Sequence, residues 1–207
     1  VHPLAVFVVS SPQLFNNKGA LRSISDFKGL KMRSNSAGTT QALTLLGAIP
    51  VTKPATETYE LMSSGVLDGT VMPPESILPF KLVDASQYGT VIPGAITNSI
   101  LTLAINEAKW QSLSQQDRDA ITAISGANFA RAIGEAYIAG DQATWDAMRK
   151  ANKSVETASP ELVAQMKTAL KPMETAWADK ARKRGVDDPQ KLLDALRAEI
   201  KSVEAGL

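Results

Sequence analysis

The chain has 207 residues, enough for one large core or two small lobes, and its 44% hydrophobic and 21% charged residues are typical of a folded protein. The formal net charge of +1 gives no electrostatic reason to expect nucleic acid or an anionic membrane surface as a partner. The absence of cysteine excludes disulfides and thiolate metal sites, and the single histidine, His2, leaves little for a histidine metal site or a catalytic triad. We therefore expect no metal and no cofactor. No stretch is apolar for long enough to insert into a bilayer.

Short apolar runs alternate with helix signals over the first half of the chain. The run from Leu4 to Val9 predicts a strand that is buried on both faces. Further strands are predicted near residues 30–33, 49–52, 90–92 and 100–105, with one more at the end of the run 66–72. Helices are predicted between them: after Ser36 or Asn35, after Thr56, and from Glu75 to Val83. This alternation predicts an α/β lobe with a mostly parallel sheet covered on both faces.

The pattern becomes helical after Asn106. Ser114 with an acid three residues on is a helix-start signature, and no proline follows until beyond Lys150. One uninterrupted helix there would be about 50 Å long, with its first and later parts facing different bodies, and its glycines would permit a bend. A second helical stretch, 159–184, contains Pro172 and is expected to kink or break there. A last helix follows Asp188-Pro189 and runs to about Val203.

Arg33 is the most informative candidate for a functional residue. It ends a short apolar strand and is followed by a polar, glycine-containing turn and a helix start. Its planar guanidinium matches a carboxylate with two parallel bonds, and this position is where α/β folds hold anionic ligands. The alternative is a surface or interdomain salt bridge, which the local sequence alone favours.

Four motifs and their order give the chain a specific resemblance. They are Asp26-Phe27-Lys28-Gly29-Leu30-Lys31-Met32-Arg33, Leu46-Gly47-Ala48-Ile49-Pro50-Val51, Glu57-Thr58-Tyr59-Glu60-Leu61 and Gly65-Val66-Leu67-Asp68-Gly69, followed by Asn106, Trp110 and Leu113-Ser114. The chain resembles the DctP family, the extracytoplasmic solute-binding proteins of tripartite ATP-independent periplasmic (TRAP) transporters. The resemblance implies a periplasmic-binding-protein-like (type II) fold in which 1–106 is the ligand-binding second lobe of a two-lobe clamp. Residues 107–207 would then supply the long interlobe helix and the C-terminal helices.

The resemblance also implies a function and a site. A protein of this family binds a small carboxylate in the periplasm and delivers it to membrane permease subunits, and it is not an enzyme. Arg33 stands at the position that pairs with the ligand's carboxylate. The neighbouring ligand positions correspond to Ser36, Ala55, Met72 and Asn98. Relative to the sialic-acid branch, Ser36 and Met72 replace asparagines, Ala55 replaces a phenylalanine and Asn98 is kept, which implies a less hydroxylated, more apolar acid.

Two of these residues have structural alternatives. Met72 is equally well explained as a core residue at a strand end, and Asn98 as a residue that ties down a turn. Two other functions also remain open at this stage: a ligand-sensing module with the same fold, and an enzyme acting on an organic acid. The lack of cysteine and of an internal histidine weighs against the enzyme.

The resemblance further implies that the family's opening third is absent before Val1, since the chain starts Val1-His2-Pro3 without a signal peptide. Helix faces that would pack on the absent lobe, around Ile133, Tyr137 and Met148, are expected to form an exposed apolar patch. We expect Arg33 to open onto the largest cleft. We also expect these 207 residues alone to bind acids weakly, because a one-walled pocket leaves most of a ligand in water.

Overall fold

The structure, a computed structural model, describes residues 1–205. Its strands are β1 His2–Val8, β2 Gln13–Asn16, β3 Lys31–Ser34, β4 Ile49–Thr52, β5 Gly69–Met72, β6 Tyr88–Val91, β7 Ile100–Ile105 and β8 Ser154–Thr157. Its helices are α1 Ala37–Leu45, α2 Thr58–Ser63, α3 Leu82–Ala85, α4 Glu107–Gln111, α5 Gln115–Ile124, α6 Gly126–Lys150, α7 Pro160–Lys183 and α8 Pro189–Ala205. Short 3-10 turns occupy Ile24–Phe27, Ala55–Glu57 and Pro74–Ser76.

Six of the strands form one sheet in the order β4-β3-β5-β2-β6-β8. Strands β4, β3 and β5 pair in parallel, as do β6 and β8, while β2 runs antiparallel to both of its neighbours. Five strands therefore share one direction, and the predicted α/β lobe with a mostly parallel sheet is confirmed. The carboxyl ends of these five strands lie together at one end of the sheet, where β2 begins. This row of strand ends is the carboxyl edge of the sheet.

Each face of this sheet carries a hydrophobic core. On one face Leu14, Met32 and Val71 pack with residues of α1 and α7, among them Leu43 and Leu162. On the other face Phe15, Met72, Leu82 and Met148 form a second core, and the Phe15 ring stacks on Trp145 at 5.3 Å between ring centroids. Alternate residues of a strand point to opposite faces, so neighbours such as Leu14 and Phe15 enter different cores. Each fully buried large side chain contributes about 1.5–3 kcal/mol to folding.

Strands β1 and β7 form a separate two-stranded antiparallel sheet. The expectation that the first apolar run is buried on both faces is wrong: within β1 only Ala5 is buried, Val6 is 60% exposed, and Ile100 of β7 is 71% exposed. Helix α6 packs on β1, with Phe7 and Phe129 in edge-to-face contact at 5.4 Å. An apolar run predicts burial only where elements cover both faces of its strand, and within residues 1–205 this sheet is left open.

Two strands escaped the sequence analysis. Strand β2 is not predicted by its sequence, yet all four of its residues are buried because it lies between β5 and β6. Strand β8, with the sequence Ser154-Val155-Glu156-Thr157, carries only one large apolar residue and extends the sheet at its edge. Neither has the apolar run or the clear alternation on which strand prediction depends.

The helical half also differs in detail from the prediction. The stretch 114–150 is helical but breaks at Ser125, where the backbone is extended and Gly126 has a φ of 60°. Helix α7 instead continues through Pro172. The predicted helix from Glu75 to Val83 is replaced by the Pro74–Ser76 turn and the short α3.

Helix α6 packs on both sheets. Its 25 residues span about 37 Å, with the first half on β1 and the last turns in the second core. Met148 is fully buried there, so it does not belong to an exposed patch, whereas Ile133 and Tyr137 are half-buried. Since α6, β8 and α7 contribute to the cores of the six-stranded sheet, residues 1–106 and 107–205 together build one body. The functional division between them stays a prediction.

Candidate ligand-binding site

Arg33 is buried at the carboxyl edge of the six-stranded sheet. It lies in β3 between Val51 of β4 and Thr70 of β5, and only 5% of its surface is exposed. Its Nε donates a hydrogen bond to the carbonyl oxygen of Lys53 at 2.9 Å. The end of β4 therefore fixes the plane of the guanidinium and leaves its two terminal nitrogens free to bind an anion.

The electrostatics of Arg33 set it apart from the exposed arginines. Arg22, Arg182 and Arg197 pair with carboxylates at the surface, whereas Arg33 has no acidic partner within 4.0 Å among residues 1–205. Burial lowers the pKa of Arg33 from its ordinary value, because desolvation disfavours the charged form. The salt-bridge alternative thus finds no partner in the described part of the chain. A buried cation without a counter-ion is a candidate anion-binding group.

A hydroxyl cluster lies next to Arg33, where β3 passes into α1. Ser34 Oγ lies 2.9 Å from Thr40 Oγ1 and 3.1 Å from Thr52 Oγ1. Ser36 is exposed and caps α1, its Oγ accepting the Thr39 amide at 3.1 Å. Arg33 is thus followed within three residues by a helix N-terminus, whose partial positive charge also favours an anion. The capping role of Ser36 was expected, but the Ser34–Thr40–Thr52 cluster was not.

Met72 and Ala55 come from the strands beside β3. Met72 ends β5 and is buried in the second core, with 2% of its surface exposed. Ala55 follows β4, is half-buried and packs against the same core. Both residues therefore lie at the carboxyl edge that also carries Arg33, where Met72 is enclosed in the core and Ala55 is partly exposed.

Asn98 lies apart from this group, in the linker between β6 and β7. It is exposed, and its Oδ1 accepts a hydrogen bond from Ser11 Oγ at 3.1 Å. Beside it the Val9 amide donates to the Ser99 carbonyl at 3.1 Å. Asn98 thus ties two linkers together in this structure, as its structural alternative predicted.

The larger surface cavities do not include Arg33. One of about 710 Å³ lies between α7 and α8 and is lined by residues such as Lys167, Leu170, Arg197 and Ile200. The opening of Arg33 onto the largest cleft therefore stays a prediction. Arg33 lies at the carboxyl edge, where the strands end. A ligand there is enclosed in a cavity only when a second wall faces the strand ends.

Three polar residues near this edge were missed by the sequence analysis. Gln13 at the start of β2 is buried, with its Oε1 accepting the Ile92 amide at 2.6 Å and its Nε2 donating to the Ser11 carbonyl at 3.1 Å. Glu75 and Asp141 lie in contact where α6 meets the Pro74–Ser76 turn. Gln13 had no detectable signal because its strand was not predicted, and the sequence places Glu75 only at the start of a predicted helix.

A sheet with a buried cation at its carboxyl edge is the arrangement by which α/β proteins hold anionic solutes. The chain belongs to the DctP family, the bacterial extracellular solute-binding proteins of family 7, whose family model matches residues 1–180. Among curated relatives, the outer membrane transporter protein TsaT of Comamonas testosteroni is 30% identical over 200 residues, covering 96% of this chain and 59% of TsaT.

Solved structures show the same fold. A TRAP periplasmic solute-binding protein of Bordetella bronchiseptica with bound (R)- and (S)-mandelate superposes with a TM-score of 0.87 at 32% identity, covering 98% of this chain and 64% of that one. A TRAP solute-binding protein of Rhodoferax ferrireducens with copurified benzoate gives 0.89 at 27% identity, covering 100% and 65%. The chain therefore spans less than two thirds of each of these relatives.

The comparisons confirm several expectations. The family and these structural neighbours are solute-binding proteins, which agrees with the class of protein expected from the sequence. The Bordetella relative is named periplasmic, which confirms the expected location. Across residues 1–205, no helix has both the length and the apolar content that crossing a membrane requires.

Proposed function

We propose that this chain forms the arginine-bearing lobe of an extracytoplasmic TRAP receptor, which binds a small organic acid and delivers it to the membrane permease. The single observation that carries the proposal is the buried Arg33 guanidinium, oriented by the Lys53 carbonyl and without an acidic partner in residues 1–205. A carboxylate that bonds to its two terminal nitrogens would satisfy both the charge and the free donors.

The ligand we propose is a monocarboxylate with an aromatic or otherwise apolar body. Within residues 1–205 Arg33 is the only buried lysine or arginine, so it neutralises one carboxylate. Met72 and Ala55 belong to the second core at the same carboxyl edge, and their side chains are apolar rather than hydroxyl-binding. The relatives that hold mandelate and benzoate support this class, because both ligands are aromatic monocarboxylates.

Ser36 and Asn98 have supporting places in this proposal. Ser36 keeps the N-terminus of α1 formed beside Arg33, and its exposed hydroxyl is available to a ligand oxygen. Asn98 lies on the linkers that lead out of the sheet, where a second wall would approach the site. We propose both as ligand-facing residues of the closed form.

The test is calorimetric titration of the full-length gene product with benzoate, mandelate, succinate and glucuronate. The proposal predicts that the two aromatic monocarboxylates bind and that Arg33→Ala strongly weakens this binding. The matched control is Arg184→Ala, since Arg184 is exposed at the end of α7 and far along the chain from the site. Unchanged affinity in Arg33→Ala would remove Arg33 from the site, and tight binding of glucuronate alone would overturn the apolar ligand class.

A further inference from the structure

Three segments of the chain meet at the carboxylate of Asp141, near the middle of α6. Its Oδ2 accepts a hydrogen bond from Ser10 Oγ at 2.8 Å, and its Oδ1 accepts the Glu75 amide at 2.9 Å. Ser10 belongs to the linker between β1 and β2, and Glu75 to the turn that follows β5. One carboxylate thus connects α6 to the linker and to the edge of the six-stranded sheet.

The packing around Glu75 is close. A Cβ at position 140 of α6 would lie 2.7 Å from the Glu75 Cβ, so only glycine allows the turn to approach the helix. One helical turn further on, Thr144 Oγ1 donates to the Pro74 carbonyl at 2.6 Å. These contacts hold the Glu75 side chain against α6, beside Asp141.

The Glu75 carboxyl group has an unusual environment. Its Oε1 accepts from Ser76 Oγ at 2.9 Å, but its Oε2 is buried and has no hydrogen-bond partner in residues 1–205 if Glu75 is ionised. Burial, and then the charge of Asp141, raise the pKa of Glu75. Burial also raises the pKa of Asp141, although its hydrogen bonds from Ser10 and from the Glu75 amide oppose that shift.

The other groups that face this pair provide no counter-ion. Tyr137, one turn earlier on α6, has its pKa raised by desolvation and then by the Glu75 charge. The linker contributes the Ser10 hydroxyl and the turn contributes that of Ser76. In the described chain no lysine, arginine or histidine lies within ion-pair distance of either carboxylate. A proton on Glu75 removes the repulsion and gives Oε2 a bond to Asp141.

We propose that Glu75 and Asp141 share one proton and thereby latch α6 and the β1–β2 linker onto the six-stranded sheet, and that losing this proton as the pH rises loosens the latch. The chain passes between the two sheets three times, through residues 9–12, through residues 92–99 and along α6. The latch joins the first and third of these passages. It therefore sets how the β1–β7 sheet is held on the six-stranded sheet, and the proposal does not depend on acid binding.

The sign of the pH effect follows from linkage. Both carboxyl pKa values are raised on folding, so the folded chain binds more protons than the unfolded chain. The contribution of the pair is fully present below the ordinary carboxyl values of 4.5 and 3.8, and it is lost as the pH rises through the raised values. Above them, two like charges remain in contact without a counter-ion.

The experiment compares the parent chain with Glu75→Gln, whose amide supplies the missing donor at every pH. Glu60→Gln is the matched control, since Glu60 is exposed on α2. We expect the difference in thermal midpoint between Glu75→Gln and the parent to increase by about 2–4 °C when the pH is raised from 4.5 to 8. The difference between Glu60→Gln and the parent should not change over this range. A gain that does not change with pH would overturn the shared proton.

Two measurements on the parent chain need no variant and decide the matter if Glu75→Gln does not fold. In carbon-13 NMR the Glu75 carboxyl should titrate above the ordinary glutamate range. The Glu75 amide, bonded to Asp141, should lose protection from hydrogen exchange as the pH rises, beyond the intrinsic rate. The Ile92 amide is the control, because its acceptor, Gln13 Oε1, does not titrate. Ordinary Glu75 titration, or parallel behaviour of both amides, would overturn the latch.

Discussion

Arg33 and Lys53 are joined by a single hydrogen bond of 2.9 Å, from the Arg33 Nε to the Lys53 carbonyl. The bond uses the donor on the stem of the guanidinium and leaves the terminal pair for another partner. Lys53 directs its own ammonium to Glu57 at 2.9 Å, so it contributes only its backbone to this arrangement. A main-chain carbonyl cannot be removed by substitution at Lys53, and the orientation of Arg33 is therefore a property of the fold.

The first prediction separates charge from geometry at Arg33. In the full-length protein, Arg33→Ala should weaken binding of an aromatic monocarboxylate by about 2–5 kcal/mol, since a desolvated carboxylate loses its partner. Arg33→Lys keeps the charge but not the two-pronged geometry, and we expect an intermediate loss. Calorimetry measures both. Equal affinity of the lysine variant and the parent would show that charge alone is recognised.

The second prediction concerns Ser36, which caps α1 beside Arg33. Ser36→Ala should destabilise the fold by about 0.5–2 kcal/mol because the Thr39 amide loses its acceptor. Ser36→Asp keeps an acceptor at the cap but places a negative charge near the ligand's carboxylate. Urea unfolding should therefore find the aspartate variant as stable as the parent, while titration finds it a weaker binder. A binding loss in the alanine variant only would assign Ser36 a purely structural role.

The third prediction uses two glycines with opposite surroundings. A Cβ at Gly69 in β5 would overlap the Phe15 carbonyl oxygen and lie 2.8 Å from the Met32 Sδ, so Gly69→Ala should cost about 1–3 kcal/mol. A Cβ at Gly134 in α6 meets no atom within 4 Å, and Gly134→Ala should stabilise the chain by about 0.5–1 kcal/mol. Denaturant unfolding of both variants tests the contrast. A stabilising Gly69→Ala would contradict the close packing of β5 on β2.

The fourth prediction concerns these 207 residues on their own. Val6 and Val8 of β1, Ile100 of β7 and Ile138 of α6 are exposed apolar side chains, and we expect the isolated chain to self-associate through them. It should also bind acids weakly, since within residues 1–205 no second wall faces Arg33. Light scattering and calorimetry check the two parts. Ile100→Lys should reduce self-association, whereas the control Lys167→Arg on α7 should not. If the isolated chain is a monomer that binds an organic acid with micromolar affinity, the second wall is dispensable.

Much of the architecture was predictable because its signals are local. The Ser36 cap, the strand ending near Arg33 and the helix after Asp188-Pro189 each depend on a few adjacent residues. Strand β2 was not predictable in this way. Gln13 and Asn16 are polar, and their burial follows from β5 and β6, which lie far along the chain.

In the candidate site, too, residues with a local sequence signal were predictable and long-range contacts were not. Arg33 could be singled out because its residue type and its strand-end position carry chemical meaning, and the four motifs added to that. The contact of Glu75 with Asp141 joins residues 66 positions apart, and the sequence around neither residue indicates it. Of the two outcomes predicted for Pro172, the break does not occur, because α7 continues through it, and the helical stretch 114–150 breaks at Ser125 and Gly126 instead.

Strand β2 has a consequence for how the chain reaches its folded form. It comes from the first residues of the sequence, yet it lies between β5 and β6 and is the only strand that links the trio β4-β3-β5 to the pair β6-β8. The trio can form from neighbouring segments, but the two groups stay separate half-sheets until this early segment is inserted between them. We therefore expect the joining of the half-sheets to be a slow step of folding, because β2 pairs with β5 and β6 across long stretches of chain.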